Sequence, residues 1–167
     1  MQILLGRDRY PGIPLSTKKG TNVPNEQRLE QTPESLRAAV DVCVGACPGI
    51  EPRSASSTYN CIGLVFASRR TWVDPEYVPL LLAEDGYYRV DIASAKLGDV
   101  VVYRNFAREI THAGIIVEKR PVLETAEWDV RVLSQWGASG EYVHRLSDVP
   151  SLLGSPAEFW SERKNVT

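Results

Sequence analysis

The sequence predicts an α+β domain, and two observations carry that prediction. Apolar residues recur at helical spacing through the first part of the chain, whereas from Leu97 onward they alternate with polar ones as strands require. The length of 167 residues fits one domain with a sizeable core and is short for two.

Taken in order, residues 6–31 are rich in Pro, Gly, Lys, Asn and Thr and lack an apolar period. Residues 1–31 therefore read as a polar arm laid over the surface, and residues 32–167 as the domain proper. Thr32 offers a helix N-cap with Pro33 at the first helical position, and Leu36, Val40, Cys43, Val44 and Cys47 keep helical spacing until Pro48-Gly49 stops the run. After a polar connection, Asn60 is placed to cap a second helix that begins at Cys61, carries Leu64, Val65 and Ala67, and is expected to end near Arg69-Arg70. Asp74-Pro75 starts a short helix bearing Val78, Leu81 and Leu82.

Asp85-Gly86 marks a turn into a first edge strand over residues 87–92. Gly98-Asp99 turns into a strand over 100–104, and residues 111–118 form its antiparallel neighbour. Arg120-Pro121 breaks the ladder, residues 129–134 resume it, and residues 142–146 add a further strand. Residues 147–153 and 156–163 are expected to be short helices, with Gly154 as a C-cap between them.

Composition excludes several functions. A net charge of -2 with both signs mixed along the chain gives no footprint for nucleic acid. The longest apolar stretches fall short of a membrane span and the N-terminal run is too brief for a signal peptide, so the sequence predicts a soluble, cytoplasmic protein with no membrane partner. Export by a dedicated secretion system is compatible with the same features. Three cysteines argue against a disulfide scaffold. Cys43 and Cys47, one helical turn apart, offer half a metal site, but His112 and His144 are the only histidines and form no pair to complete it; no metal and no cofactor are expected, and the two thiols read as core.

Cys61 is the first candidate for chemistry. A thiol at the start of a helix feels the partial positive charge of the N-terminus, and that field with a nearby imidazolium generates a nucleophilic thiolate. The competing reading is a small buried core residue. His112 opens an apolar strand beside small Ala113 and Gly114, which leave room for a ring; its competing reading is a hydrogen-bonded histidine at a strand end.

Three segments, Tyr59-Asn-Cys-Ile-Gly-Leu64, Leu97-Gly-Asp-Val-Val-Val-Tyr103 and Thr111-His-Ala-Gly-Ile-Ile-Val-Glu118, together resemble the NlpC-type branch of the papain-like cysteine peptidases in order and rough spacing. The resemblance covers residues 57–134. It implies a papain-like fold with the nucleophile helix packed on a central antiparallel sheet, Cys61 as nucleophile and His112 as general base and acid. It also implies that the Tyr59 hydroxyl joins the backbone N–H of Cys61 at the oxyanion. The chain departs from the family at Asn60, where Asp is usual, and at Ile62, where Ser is usual.

The family's third catalytic group lies on the strand after the base, which here holds no histidine, leaving Gln135 or Ser134 to orient His112. His144 is a further candidate, because Ser134-Gln-Trp-Gly137 followed by Glu141-Tyr-Val-His144 resembles a C-terminal block of bacterial proteins that carry a Tyr-Asn-Cys segment. Trp128, Trp136 and Tyr142 are candidate cleft aromatics. The function implied is hydrolysis of an amide or isopeptide bond through a Cys61 thioester, with peptidoglycan stem peptides as the suggested substrate. Two alternatives stand beside it. One is acyl transfer, transglutamination or deamidation of a protein side chain, as in toxin- or effector-like branches; the other is a catalytically silent binding module or immunity-type partner. An activating or inhibitory partner, and an arm that covers the cleft, remain open.

Overall fold

The computed structural model describes residues 9–123, 125 and 127–163. Residues 1–8 of the expected polar arm lie outside the described residues.

The chain runs through β1 (Arg9–Pro11), β2 (Asn25–Arg28), α1 (Pro33–Ala46), β3 (Glu51–Ser54), α2 (Cys61–Phe66) and β4 (Trp72–Val73). A 3₁₀ turn (Pro75–Tyr77) leads into α3 (Val78–Glu84). Then come β5 (Tyr88–Val90), β6 (Val100–Arg104), β7 (Ile110–Pro121), β8 (Trp128–Gln135), β9 (Glu141–Arg145), a second 3₁₀ turn (Ser151–Leu153) and β10 (Ser155–Ser161). The class is α+β, with all strand pairs antiparallel. Seven strands form the main sheet in the order β3-β9-β8-β7-β6-β10-β5, and β1-β2-β4 form a small second sheet. Among the described residues, no helix is long and apolar enough to cross a membrane.

Because successive side chains of a strand point to opposite faces, β6 feeds two cores. Val100 and Val102 pack with Cys61, Ile62, Val78, Leu81 and Leu82 on the face covered by α2 and α3. Val101 and Tyr103 pack with Ile116, Val130 and Val132 on the other face. On that second face, α1 lays Val40, Cys43 and Cys47 against Trp136 and Tyr142, as its core reading requires. Thr32 caps α1 by accepting the Ser35 N–H at 3.2 Å, with Pro33 at the first helical position.

Five expectations are corrected. Arg120-Pro121 does not break the ladder: β7 runs through Pro121, with Arg120 paired to Asp129 and Pro121 to Trp128 on β8. The arm is not a plain loop: β1 and β2 build the small sheet with β4, and Val23 is fully buried among the side chains packed with Cys61. Helix α2 ends at Phe66 rather than near Arg69-Arg70, because Ser68 and Arg69 turn to φ of 51° and 64°, the left-handed region that closes helices. Residues 147–153 supply only the 3₁₀ turn Ser151–Leu153. Residues 156–163, expected as a helix, form most of β10, which fills the slot between β6 and β5. There Phe159 packs into the core of one sheet face and Trp160 into that of the other, an arrangement that strand alternation gives to adjacent residues. Pro156 is accommodated at a bulge, where the register with β6 shifts between Pro156 and Glu158.

Candidate active site around Cys61

Cys61 is the first residue of α2, and Asn60 is its N-cap in extended backbone. The Asn60 amide has three partners. Its Oδ1 accepts the N–H of Gly63 at 2.9 Å and of Val73 at 3.2 Å, and its Nδ2 donates to the Val73 carbonyl at 2.7 Å. It thus caps α2 and clamps β4 across it. Gly63 makes the crossing possible, since a Cβ there would sit 1.8 Å from the Thr71 carbonyl oxygen. The approach to Cys61 is held from the arm, where Glu30 accepts the Ser57 N–H and the Ser56 and Ser57 hydroxyls.

Burial raises the Cys61 thiol pKa, and the backbone N–H groups of Ala113, Ile62 and Cys61 itself act against it by favouring a thiolate. Burial outweighs them: Cys61 is 6% exposed and its pKa is pushed up to about 11. The resting thiol is neutral at physiological pH.

His112 follows a different course. Its register partner on β6 is Tyr103, whereas Ala113 pairs with Val102. Ala113 and Val102 belong to the Cys61 core, and the His112 ring lies edge-on to Tyr103 with centroids 5.1 Å apart. Strand alternation therefore turns His112 toward the face of β7 opposite the thiol. The ring is fully buried, and neither nitrogen has a hydrogen-bond partner, Cys61 included. Burial lowers its pKa to about 3, with nearby His144 contributing in the same direction. The expected thiol–imidazole hydrogen bond is absent from this arrangement.

The candidates for a third group divide between the two faces. Gln135 shares the Ala113 face by register and is fully buried, but its Nε2 donates to the carbonyls of Ser56 and Gly137, so it does not orient His112. Its Oε1 is buried without a partner. Ser134 and His144 share the Tyr103 face and are committed to each other. His144 Nδ1 lies 2.7 Å from the Arg145 carbonyl, which only accepts, so that nitrogen carries the proton. Nε2 then accepts the Ser134 hydroxyl at 2.8 Å, and Ser134 Oγ accepts the Trp136 indole N–H at 3.1 Å. Burial lowers the His144 pKa, in keeping with a neutral ring. None of these polar groups reaches the His112 nitrogens.

Tyr59 is not free to face an oxyanion. Its hydroxyl donates to Glu141 at 2.6 Å, and Arg69 pairs with the same buried carboxylate at 2.5 Å. Burial and that hydrogen bond push the Tyr59 pKa up to about 12. The Gly98-Asp99 segment is a turn: Gly98 adopts φ of 88°, and the Asp99 carboxylate accepts the Lys96 N–H and faces Arg163 at 3.3 Å. Trp136 and Tyr142 pack on each other under α1 with their rings tilted by 44°, and Lys119 covers Trp128, so these aromatics line none of the grooves described below.

The open surface near Cys61 is elsewhere. A groove of about 490 Å³ reaches Asn60 and is walled by Arg28, Trp72, Asp74 and Tyr77, with the Arg28 guanidinium 3.5 Å over the Trp72 ring. The sequence reading missed these residues, because they belong to the aperiodic arm and to short connections. Among the described residues, no three His, Cys, Asp or Glu side chains converge as a metal site. Compared with protein-family models, with curated proteins and with solved structures, the chain matches none.

Proposed function

We propose that the chain is a thiol-dependent amide hydrolase of the NlpC-type papain-like fold, held at rest in a closed form. The observation that carries the reading is the place of Cys61 at the first position of α2, behind the Asn60 cap and packed with Ala113, the strand neighbour of His112, with the backbone N–H groups of Ala113, Ile62 and Cys61 favouring a thiolate there. Those donors suit both a thiolate and the oxyanion that forms when it attacks a carbonyl. The two uncommitted ring nitrogens of His112 support the same reading, since buried polar atoms without partners are costly and rare outside functional sites.

In the reaction, the Cys61 thiolate attacks an amide carbonyl, His112 protonates the departing amine, and water or an acceptor amine resolves the thioester. For this, the start of β7 must slip by one residue against β6, because strand alternation fixes the face of each side chain; the slip carries the imidazole to the thiol side, where the two groups exchange a proton. The substrate is a peptide amide, of a peptidoglycan stem peptide or of a protein. A second reading, the silent binding module, is favoured by the raised thiol pKa and the opposed directions of Cys61 and His112.

The deciding experiment is acid-quenched intact-mass spectrometry after incubation with peptidoglycan stem peptides and with a mixture of unfolded proteins. The hydrolase reading expects a thioester adduct on Cys61 and released amine. Cys61→Ala is expected to abolish both, and His112→Ala to slow turnover by about 10²–10⁴-fold. No adduct and no cleavage with any of these substrates would leave the binding module standing.

A further inference from the structure

Cys61 and His112 line neither of two grooves that open beside them. The groove of about 490 Å³ ends at Asn60, the residue before the thiol. A second groove, of about 660 Å³, is lined by Ile110 and Thr111, the residues before His112. Asp74, Pro75 and Glu76 line both, so this short segment is the wall between them. Its 3₁₀ turn has no fully buried side chain, packs against β7 and rests the half-buried Tyr77 ring on the core around Cys61. It is anchored at its ends, by Val73 in the Asn60 clamp and by fully buried Val78. The second groove continues past Pro79, Arg104 and Ile110 into a recess of about 200 Å³ walled by Leu82, Ala83 and Trp160, which suits one large apolar side chain.

The charges along this path have one sign left over. Arg28 is paired with Glu26, and Arg104 with Glu158. Asp74, Glu76 and Glu109 line the grooves and form no ion pair among the described residues. The aromatic wall at Trp72 already holds one guanidinium over its face, which shows the chemistry this wall accepts.

We propose that the two grooves are halves of one substrate cleft that takes an extended, basic protein segment, with an apolar side chain seated in the Leu82–Trp160 recess and the Pro75–Tyr77 turn strapped across its middle. The inference rests on the hydrolase reading for the cleft's purpose, and it selects a basic protein over an acidic peptidoglycan stem peptide as the substrate. The segment's cationic side chains meet Asp74, Glu76 and Glu109 along the strap, and displacing the strap uncovers the start of α2, next to Asn60, where the thiol lies.

Binding is measured apart from chemistry, by fluorescence anisotropy on the Cys61→Ala protein. The probes are labelled twelve-residue peptides of Gly and Ser carrying two Lys and one Phe, with matched peptides in which Lys becomes Glu or Phe becomes Ser. The Lys/Phe peptide is expected to bind at least about tenfold more tightly than either match, the margin weakening as salt is raised. Asp74→Asn with Glu76→Gln and Glu109→Gln, which keeps the cap and the side-chain shapes, is expected to remove most of the preference for Lys, and Ala83→Trp that for Phe. Circular dichroism confirms that both variants fold. Equal binding of the Lys and Glu peptides, a preference untouched by the triple variant, or no binding of any peptide would overturn the proposal. Thioester formation on Cys61 with a substrate lacking basic residues would overturn the substrate class while upholding the hydrolase, so the two failures are distinct.

Discussion

Asn60 shows how much one residue type decides at this site. The resemblance leads one to expect an aspartate before the nucleophile, and either residue caps a helix. What only the amide supplies is a donor for the Val73 carbonyl at 2.7 Å, made while Oδ1 accepts from Gly63 and Val73. Asn60→Asp would keep both accepted N–H groups and set a carboxylate oxygen against a carbonyl oxygen, so a loss of about 1–3 kcal/mol in urea unfolding is expected. A variant as stable as the parent would show that the clamp on β4 contributes nothing. The capping role is legible in the sequence because Asn, Cys and an apolar run lie side by side. The clamp is not, because Val73 comes thirteen residues later and nothing local announces the crossing. The same distinction holds for His112: the chain order places it near the start of β7, but the face to which it turns depends on register across β6, which no local pattern states.

At the scale of elements, the sequence is most legible where caps and periodicity agree, and least where a partner strand decides. Helix α1 begins at its Thr32-Pro33 signal, and β6 to β9 lie where alternation places them. Residues 155–161 carry a proline near the start and a mixed apolar pattern that suits a helix, yet the hydrogen-bonding edges of β6 and β5 claim them as β10. Helix α2 stops early for a similar reason, since Ser68 and Arg69 turn the chain so that β4 can cross back over it, and Arg69 meets Glu141. This crossing depends on Gly63. With 1.8 Å between a Cβ and the Thr71 oxygen, and backbone rather than a flexible side chain as the obstacle, Gly63→Ala must push β4 off α2. Thermal and urea unfolding are expected to show a loss of at least about 1–3 kcal/mol. Iodoacetamide is expected to reach Cys61 faster in this variant, because β4 places Val73 in the core that buries the thiol. A stable variant with an unchanged labelling rate would mean that β4 does not seal the site.

Over the whole molecule, stability against pH follows from which groups folding strips of water. Burial holds His112 neutral down to about pH 3 and lowers His144 as well, whereas an imidazole in the unfolded chain takes up its proton near 6.5. Below about pH 6.5 the unfolded chain binds more protons than the native one, so stability falls with pH, by about 1.4 kcal/mol per unit for each histidine kept fully neutral. At lower pH the carboxylates add to this limb. Burial alone would raise Glu30 and Glu158, but hydrogen bonds from Ser57 and Arg104 hold both below their ordinary values, and that contribution disappears as they protonate. On the alkaline side Cys61, raised to about 11 from 9.0, keeps a proton that the unfolded chain releases, so stability falls again as pH rises above about 9. Urea unfolding between pH 4 and 10 is therefore expected to give a plateau from about 6.5 to 9 with a decline on each side. His112→Leu is expected to make the acid limb shallower by about one proton, and Cys61→Ala to make the alkaline limb shallower, the rest of it coming from Cys47 and Tyr59, which burial also raises. A resting thiolate–imidazolium pair predicts the reverse signs: a histidine pKa raised by its partner adds stability below 6.5 that is lost as pH climbs. In that case His112→Leu would lower the plateau and leave the acid limb no shallower, and the closed, neutral resting form would be wrong.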